Sequence, residues 1–156
     1  MDTSECLVRL RENRRYRLAD VAAAGIEPLP GIYALWNGQV FLYVGIARVD
    51  PSSTQNLQAR GVPGRLGTYE RSRLTSDFSI AVAFRFVVPT MTDTERRALT
   101  TGEMSVRDVQ ARVRSWVHEH VEFSTVICDA PTAITAEKVA RTVGLPTVGP
   151  PAFNPI

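Results

Sequence analysis

Four side chains could do chemistry together in this chain: the phenols of Tyr33 and Tyr43, the guanidinium of Arg65 and the carboxylate of Glu137. The tyrosines lie in Gly31-Ile32-Tyr33 and Tyr43-Val44-Gly45, ten residues apart. A phenol is a weak acid, with a pKa near ~10, and it becomes a useful base only beside cations or a metal. Arg65 sits in Gly64-Arg65-Leu66-Gly67-Thr68-Tyr69. Its four-residue spacing from Tyr69 puts both on one face of a helix. Glu137 is the only acidic residue of the last predicted helix.

The elements that must position these groups follow from local pattern. Apolar, aromatic-rich runs flank Asn37-Gly38, which predicts a β-hairpin with strands over 31–36 and 39–46. Its register decides whether the phenols meet, because side chains alternate faces along a strand. With a two-residue turn at Asn37-Gly38, Tyr33 pairs Leu42 and the phenols face apart. With a three-residue loop, Trp36-Asn37-Gly38, Tyr33 pairs Phe41 and they share a face. Joint action therefore requires the longer loop or a bulge of equal effect. Taken alone, both tyrosines read as ordinary sheet aromatics.

Elsewhere, residues 4–24 read as a helix with Ser4 as a cap, and Gly25, Pro28 and Pro30 end it. Residues 48–61 read as a loop, and Pro63 or Gly64 opens a short helix to about Leu74. Ile80 to Val88, rich in Val, Ile and Phe, predicts a strand. Asp93 or Thr94 caps a short helix. Ser105 begins a longer one, with Val106, Val109, Val113, Trp116, Val117 and His120 on one face. Phe123 to Cys128 predicts a strand. Asp129 caps a helix with Pro131 in its first turn, ending at Gly144. The proline-rich tail must be extended and irregular.

The chain has 156 residues, 44% of them apolar, enough for one domain with a real core. Net charge is only +2, so no strong field for polyanions follows from the total. Lys138 is the only lysine among the 18 basic residues; the rest are arginine, whose forks suit phosphate but which codon bias also explains. Cys6 and Cys128 show no metal-type spacing and read as buried, reduced thiols. No apolar run approaches the ~20 residues of a membrane span, and the N-terminus has no signal-peptide pattern. A soluble, cytoplasmic protein is expected.

The ordered set resembles the GIY-YIG endonuclease family. Gly31-Ile32-Tyr33 matches its first triplet, and Tyr43-Val44-Gly45 matches its second with Val for Ile. Arg65 and Tyr69 match its arginine helix, Glu137 its metal-binding glutamate and Asn154 its terminal asparagine. The resemblance spans roughly residues 29–156. It implies an α/β (α+β) fold: a small, mainly antiparallel sheet flanked by helices. Residues 1–28 would be an added N-terminal helical extension, and 29–156 the nuclease-like domain with inserted elements. Ile46 departs from the polar residue the family often carries after the second triplet. The stretches from Gly45 to Arg65 and from Arg65 to Glu137 are long, as in the family's restriction-enzyme branch. That length leaves Glu103 as a fallback for the glutamate.

The resemblance implies DNA as the partner and phosphodiester hydrolysis with one Mg²⁺ (or Mn²⁺) on Glu137. Such a cation needs only one carboxylate when waters and phosphate oxygens fill its other positions. Arg65 would hold the non-bridging oxygens as charge builds. Tyr33 would be the general base, with its pKa pulled down by Arg65 and the metal. Tyr43 and Tyr69 would orient water or phosphate, and Asn154 would fix the geometry around Tyr43. Arg71, Arg73, Arg14 and Arg15 are candidate DNA-backbone contacts; exposed helix surface is the plainer reading of each. A double-strand cut would call for a homodimer or transient pairing on DNA. His118 and His120, two apart on a helix, point away from each other and do not suggest a shared metal. The competing reading is a catalytically weak nucleic-acid-binding module acting with a partner protein. A third, an interaction domain with a residual fold, sits poorly with an intact polar set.

Overall fold

The hairpin sets the geometry of everything else. In the computed structural model, which describes residues 1–48 and 61–153, its strands are β2 (Gly31–Asn37) and β3 (Val40–Ala47). Asn37 pairs with Val40 across a two-residue turn, Gly38-Gln39. Gly38 carries a φ of +55°, which a glycine at the first central position of a II′-type turn supplies without strain. Trp36 then faces Phe41, but Leu35 faces Tyr43, so Leu42 is one extra residue in β3. This bulge shifts the register by one. Tyr33 now faces Gly45, and Tyr33 and Tyr43 share a face, the outcome joint action required. Leu42 joins Tyr33 and Leu35 in one core layer, while Phe41 and Val44 join Ile32, Ala34 and Trp36 in the other.

Among the described residues the sheet has four strands, all antiparallel, in the order β1 (Tyr16–Arg17), β4 (Glu122–Ile127), β2, β3. Helices cover both faces, giving an α+β fold. α1 (Thr3–Glu12) and α6 (Ala130–Thr142) cover one face. Cys6, Leu7 and Leu10 from α1, with Ala133, Ala136 and Ala140 from α6, bury against Ile32, Ala34 and Trp36. The three alanines let α6 lie close to the strands. The other face is covered by α2 (Gly61–Glu70), α3 (Asp77–Val82) and α5 (Val106–His120), with α4 (Asp93–Thr101) between the last two. Leu66, Tyr69, Phe78, Val82, Val113 and Val117 fill that layer.

Five expectations need correction. Residues 4–24 are not one helix: α1 stops at Glu12, Asn13 turns extended (φ −58°, ψ 148°), and Tyr16–Arg17 become a strand. Tyr16 pairs with Phe123 and stacks on its ring at 5.7 Å, so sheet pairing outweighs a weak helical stripe. The cap is Asp2, whose carboxylate accepts from the Glu5 amide at 2.8 Å, not Ser4. Residues 80–88 are helical, not a strand: α3 widens into a π-type turn over Ala83–Val87. The Ser76 hydroxyl caps it by accepting from Ser79 N at 3.2 Å, and Phe78, Val82 and Val87 bury at helical spacing. β-propensity describes fit to a pleated surface, which tertiary packing overrides here. Finally, Thr92 rather than Asp93 or Thr94 caps α4, and α2 ends at Glu70 rather than near Leu74.

Ser105 and Asp129 cap α5 and α6 as the sequence indicates. Val106, expected on the buried face of α5, is 66% exposed. Most of the 48–61 segment lies outside the described residues, and Gly61 already belongs to α2. The tail runs beside the bulge: Ala152 N and Phe153 N donate to the carbonyls of Phe41 and Leu42, each at 2.9 Å. No helix among the described residues is long and apolar enough to cross a membrane.

Candidate active site

β2, β3 and α2 bring three phenols into one row. The hydroxyls of Tyr33 and Tyr69 are 3.0 Å apart, and Tyr69 donates to Tyr43 over a longer 3.5 Å. Their rings lean on each other at 5.8 Å (Tyr33–Tyr69) and 5.6 Å (Tyr43–Tyr69). Phe78 closes the apolar side by packing edge-on against Tyr43 and Tyr69. Tyr33 and Tyr69 are fully buried and Tyr43 is half-buried, so water reaches the row at Tyr43. Gly45 forms the floor beneath Tyr33, with the phenol ring packed directly on its Cα.

Arg65, one helical turn before Tyr69, lays its guanidinium 5.4 Å from the Tyr69 ring centre and reaches the Tyr33 hydroxyl. It also lines an open hollow of about 450 Å³ with Ile46, Arg48, Gly61, Gly64 and Thr68. Burial pulls the Arg65 pKa down, but the neighbouring phenols outweigh it and the net direction is up. Arg65 alone does not bring the phenol pKa values down. Burial pushes Tyr33 up to about 12, although the hydrogen bond with Tyr69 and the Arg65 charge both favour its phenolate. Burial pushes Tyr43 and Tyr69 up further. One guanidinium is too little to offset the desolvation of three adjacent phenols.

Glu137 projects from the middle of α6, half-buried. Burial raises its pKa, opposed by the charges of Arg141, Arg48 and Arg65, and its own charge is felt at Tyr43. Tyr33, Tyr43, Arg65, Tyr69 and Glu137, from four elements, thus share one neighbourhood. No group of three or more His, Cys, Asp or Glu side chains suited to a metal occurs among the described residues. A lone, half-buried carboxylate beside an open hollow fits a hard cation that takes its other ligands from water and substrate; it does not fit zinc.

Other sequence-selected residues fall elsewhere. Asn154 lies outside the described residues; Phe153 before it is anchored at Leu42, one residue from Tyr43. Arg71 is exposed and borders a separate hollow with Val21, Gly64 and Gly67; Arg73 is exposed. Arg14 is exposed with its guanidinium 5.0 Å from the Tyr16 ring centre. Arg15 stacks on Trp36 at 3.8 Å and donates to the Gly38 carbonyl at 2.5 Å, bracing the hairpin turn. Glu103 is exposed between α4 and α5, far along the chain from the converging set. Cys6 is buried and Cys128 half-buried, both free.

Sequence reasoning missed the anchor of the arginine helix. Glu70, the last residue of α2, accepts from Arg114 at 2.8 Å and from His118 Nε2 at 2.9 Å, both on α5. His118 is thereby a bridge that fixes the residue next to Tyr69. The only signal was the four-residue spacing of Arg114 and His118, which names a face but no partner. No family model, no curated protein and no solved structure matches the chain.

Proposed function

We propose that this protein is a metal-dependent DNA endonuclease of the GIY-YIG type. The observation that carries the reading is the convergence of three hydrogen-bonded phenols, Arg65 and Glu137, in the order that family uses. Each part has a task in phosphodiester hydrolysis. Arg65, with Arg48 beside it, holds the non-bridging oxygens of the scissile phosphate where negative charge builds. Glu137 would hold Mg²⁺ or Mn²⁺, which would supply Lewis-acid stabilisation of the phosphate and the leaving 3′ oxygen.

Tyr33 is the general base: Arg65 and the hydrogen bond with Tyr69 favour its phenolate against burial, and Tyr43, the phenol that water reaches, orients the attacking water. DNA is the partner, in the cytoplasm, and a double-strand cut would need a second copy or rebinding.

One observation favours the second reading, a weakly catalytic nucleic-acid-binding module that works with another protein: all three phenols are held neutral well above ordinary pH. Supercoiled plasmid separates the two. The nuclease reading predicts nicked circles in Mg²⁺ or Mn²⁺ and none in saturating EDTA. DNA binding without nicking in either metal would establish the module, and nicking that survives EDTA would remove the metal from the account.

A further inference from the structure

We propose that the hollow on α6 beside Glu137 is a second phosphate subsite, in which Arg141, assisted by Lys138, holds a backbone phosphate flanking the one to be cut. The inference rests on the nuclease reading and deepens it: the substrate must be a chain of several phosphodiesters rather than a single one. The hollow has a volume of about 330 Å³ and is lined by Ile134, Glu137, Lys138, Arg141 and Thr142. Residues 134 and 138, and 137 and 141, are each one helical turn apart, so they form two adjacent rows on α6.

Charge sets the kind of ligand. The hollow carries one carboxylate and two cations. The charges of Arg141 on its own helix and of Arg48 and Arg65, which line the neighbouring hollow, all act on the carboxylate. A single phosphate occupies one hollow; a strand of nucleic acid reaches both. Arg141 is half-buried, and a guanidinium fork binds phosphate oxygens in pairs. Ile134, 43% exposed, gives the same hollow an apolar wall of the sort a sugar ring packs against. The Thr142 hydroxyl is already committed to the carbonyls of Lys138 and Val139 and adds no donor.

A plainer role for Arg141 is to hold the Glu137 side chain. The two roles separate in a Glu137→Gln background, where the carboxylate charge is gone and DNA remains uncut. Binding of a fluorescein-labelled duplex is measured by anisotropy over a KCl series. Adding Arg141→Ala is expected to weaken binding about tenfold and to make the log K against log [salt] slope shallower by about 0.9, the share of one phosphate. Arg141→Lys should restore most of the slope and Arg141→Gln none of it, with Lys138→Ala having a smaller effect in the same direction. An unchanged slope in the Arg141→Ala variant would overturn the subsite and leave Arg141 as a partner of Glu137 alone. Failure of the Glu137→Gln protein itself to bind DNA would instead overturn the nuclease reading.

Discussion

The Tyr33 ring packs on the Cα of Gly45, the residue opposite it across the hairpin. A Cβ built at position 45 would stand 2.7 Å from Tyr33 Cζ and 3.1 Å from Tyr43 Cε1. The first distance is too short for carbon atoms and the second is tight, so any side chain there must displace the Tyr33 phenol. The glycine of the second triplet is thus a floor for the tyrosine of the first. Gly45→Ala should cost about 1–3 kcal/mol of stability by overpacking. It should also reduce cleavage at least tenfold while the far-ultraviolet spectrum stays that of the folded protein. Full activity in this variant would show that the position of Tyr33 is unimportant.

The phenol row predicts a definite alkaline behaviour. Burial raises the folded-state pKa of Tyr33 to about 12, while an unfolded tyrosine ionises near ~10. Between those values the unfolded state binds fewer protons than the folded one, so stability is complete below pH ~10 and falls as pH rises toward 12. Tyr43 and Tyr69 move in the same direction and steepen the loss. Denaturant midpoints should be flat up to pH ~10 and drop above it. Tyr33→Phe should flatten that drop, because it removes one of the titrating groups. A midpoint that rises in this range would contradict the burial of the row.

At the C-terminal end of α2, beside Tyr69, Glu70 predicts an acid limb. Burial opposes its ionisation, but hydrogen bonds from Arg114 and His118 prevail and hold the carboxylate below its ordinary value. Its contribution is present above the unfolded pKa near ~4.3 and is lost as pH falls through the lower folded value. Glu70→Gln should cost about 1–2 kcal/mol near neutrality. It should remove part of the acid dependence and lower the cleavage rate, since Tyr69 is the next residue. Thermal melts of both proteins from pH 7 downward check this; parallel curves would deny the ion pair its role.

Arg15 should behave as a structural cation. Stacked 3.8 Å from Trp36 and bonded to the Gly38 carbonyl, it is committed to the hairpin turn. Arg15→Ala is expected to destabilise by about 1 kcal/mol and to leave the salt dependence of DNA binding unaltered. A salt slope lowered by a full phosphate would return Arg15 to the DNA-contact set.

Legibility in the sequence followed the range of the interaction. Ser105 and Asp129 were readable as caps because a cap is a contact three residues long. Arg65 and Tyr69 were readable as one face for the same reason. The hairpin was readable, but its register was not: the Leu42 bulge has no local signature, and only the requirement that two phenols meet pointed to it. Residues 80–88 misled because Val, Ile and Phe favour whatever surface buries them, and here a helix does. Tyr16–Arg17 misled because their partner, Phe123–Glu122, lies over a hundred residues away. The depth at which Tyr33 is buried, and so the upward course of its pKa, depends on α2 and α3 closing over it; composition carries no trace of that.

The account's central claim is that Arg65 and Glu137 act on one phosphate. A double-mutant cycle on single-turnover cleavage, read in Mg²⁺ for Arg65→Ala, Glu137→Gln and the pair, tests it most directly. Arg65→Ala should cost about 3–4 kcal/mol of transition-state stabilisation and Glu137→Gln at least as much. The double variant should lose little more than the worse single one, because groups that work as a unit are strongly non-additive. Losses that simply add, or substantial cleavage remaining in either single variant, would contradict a shared site.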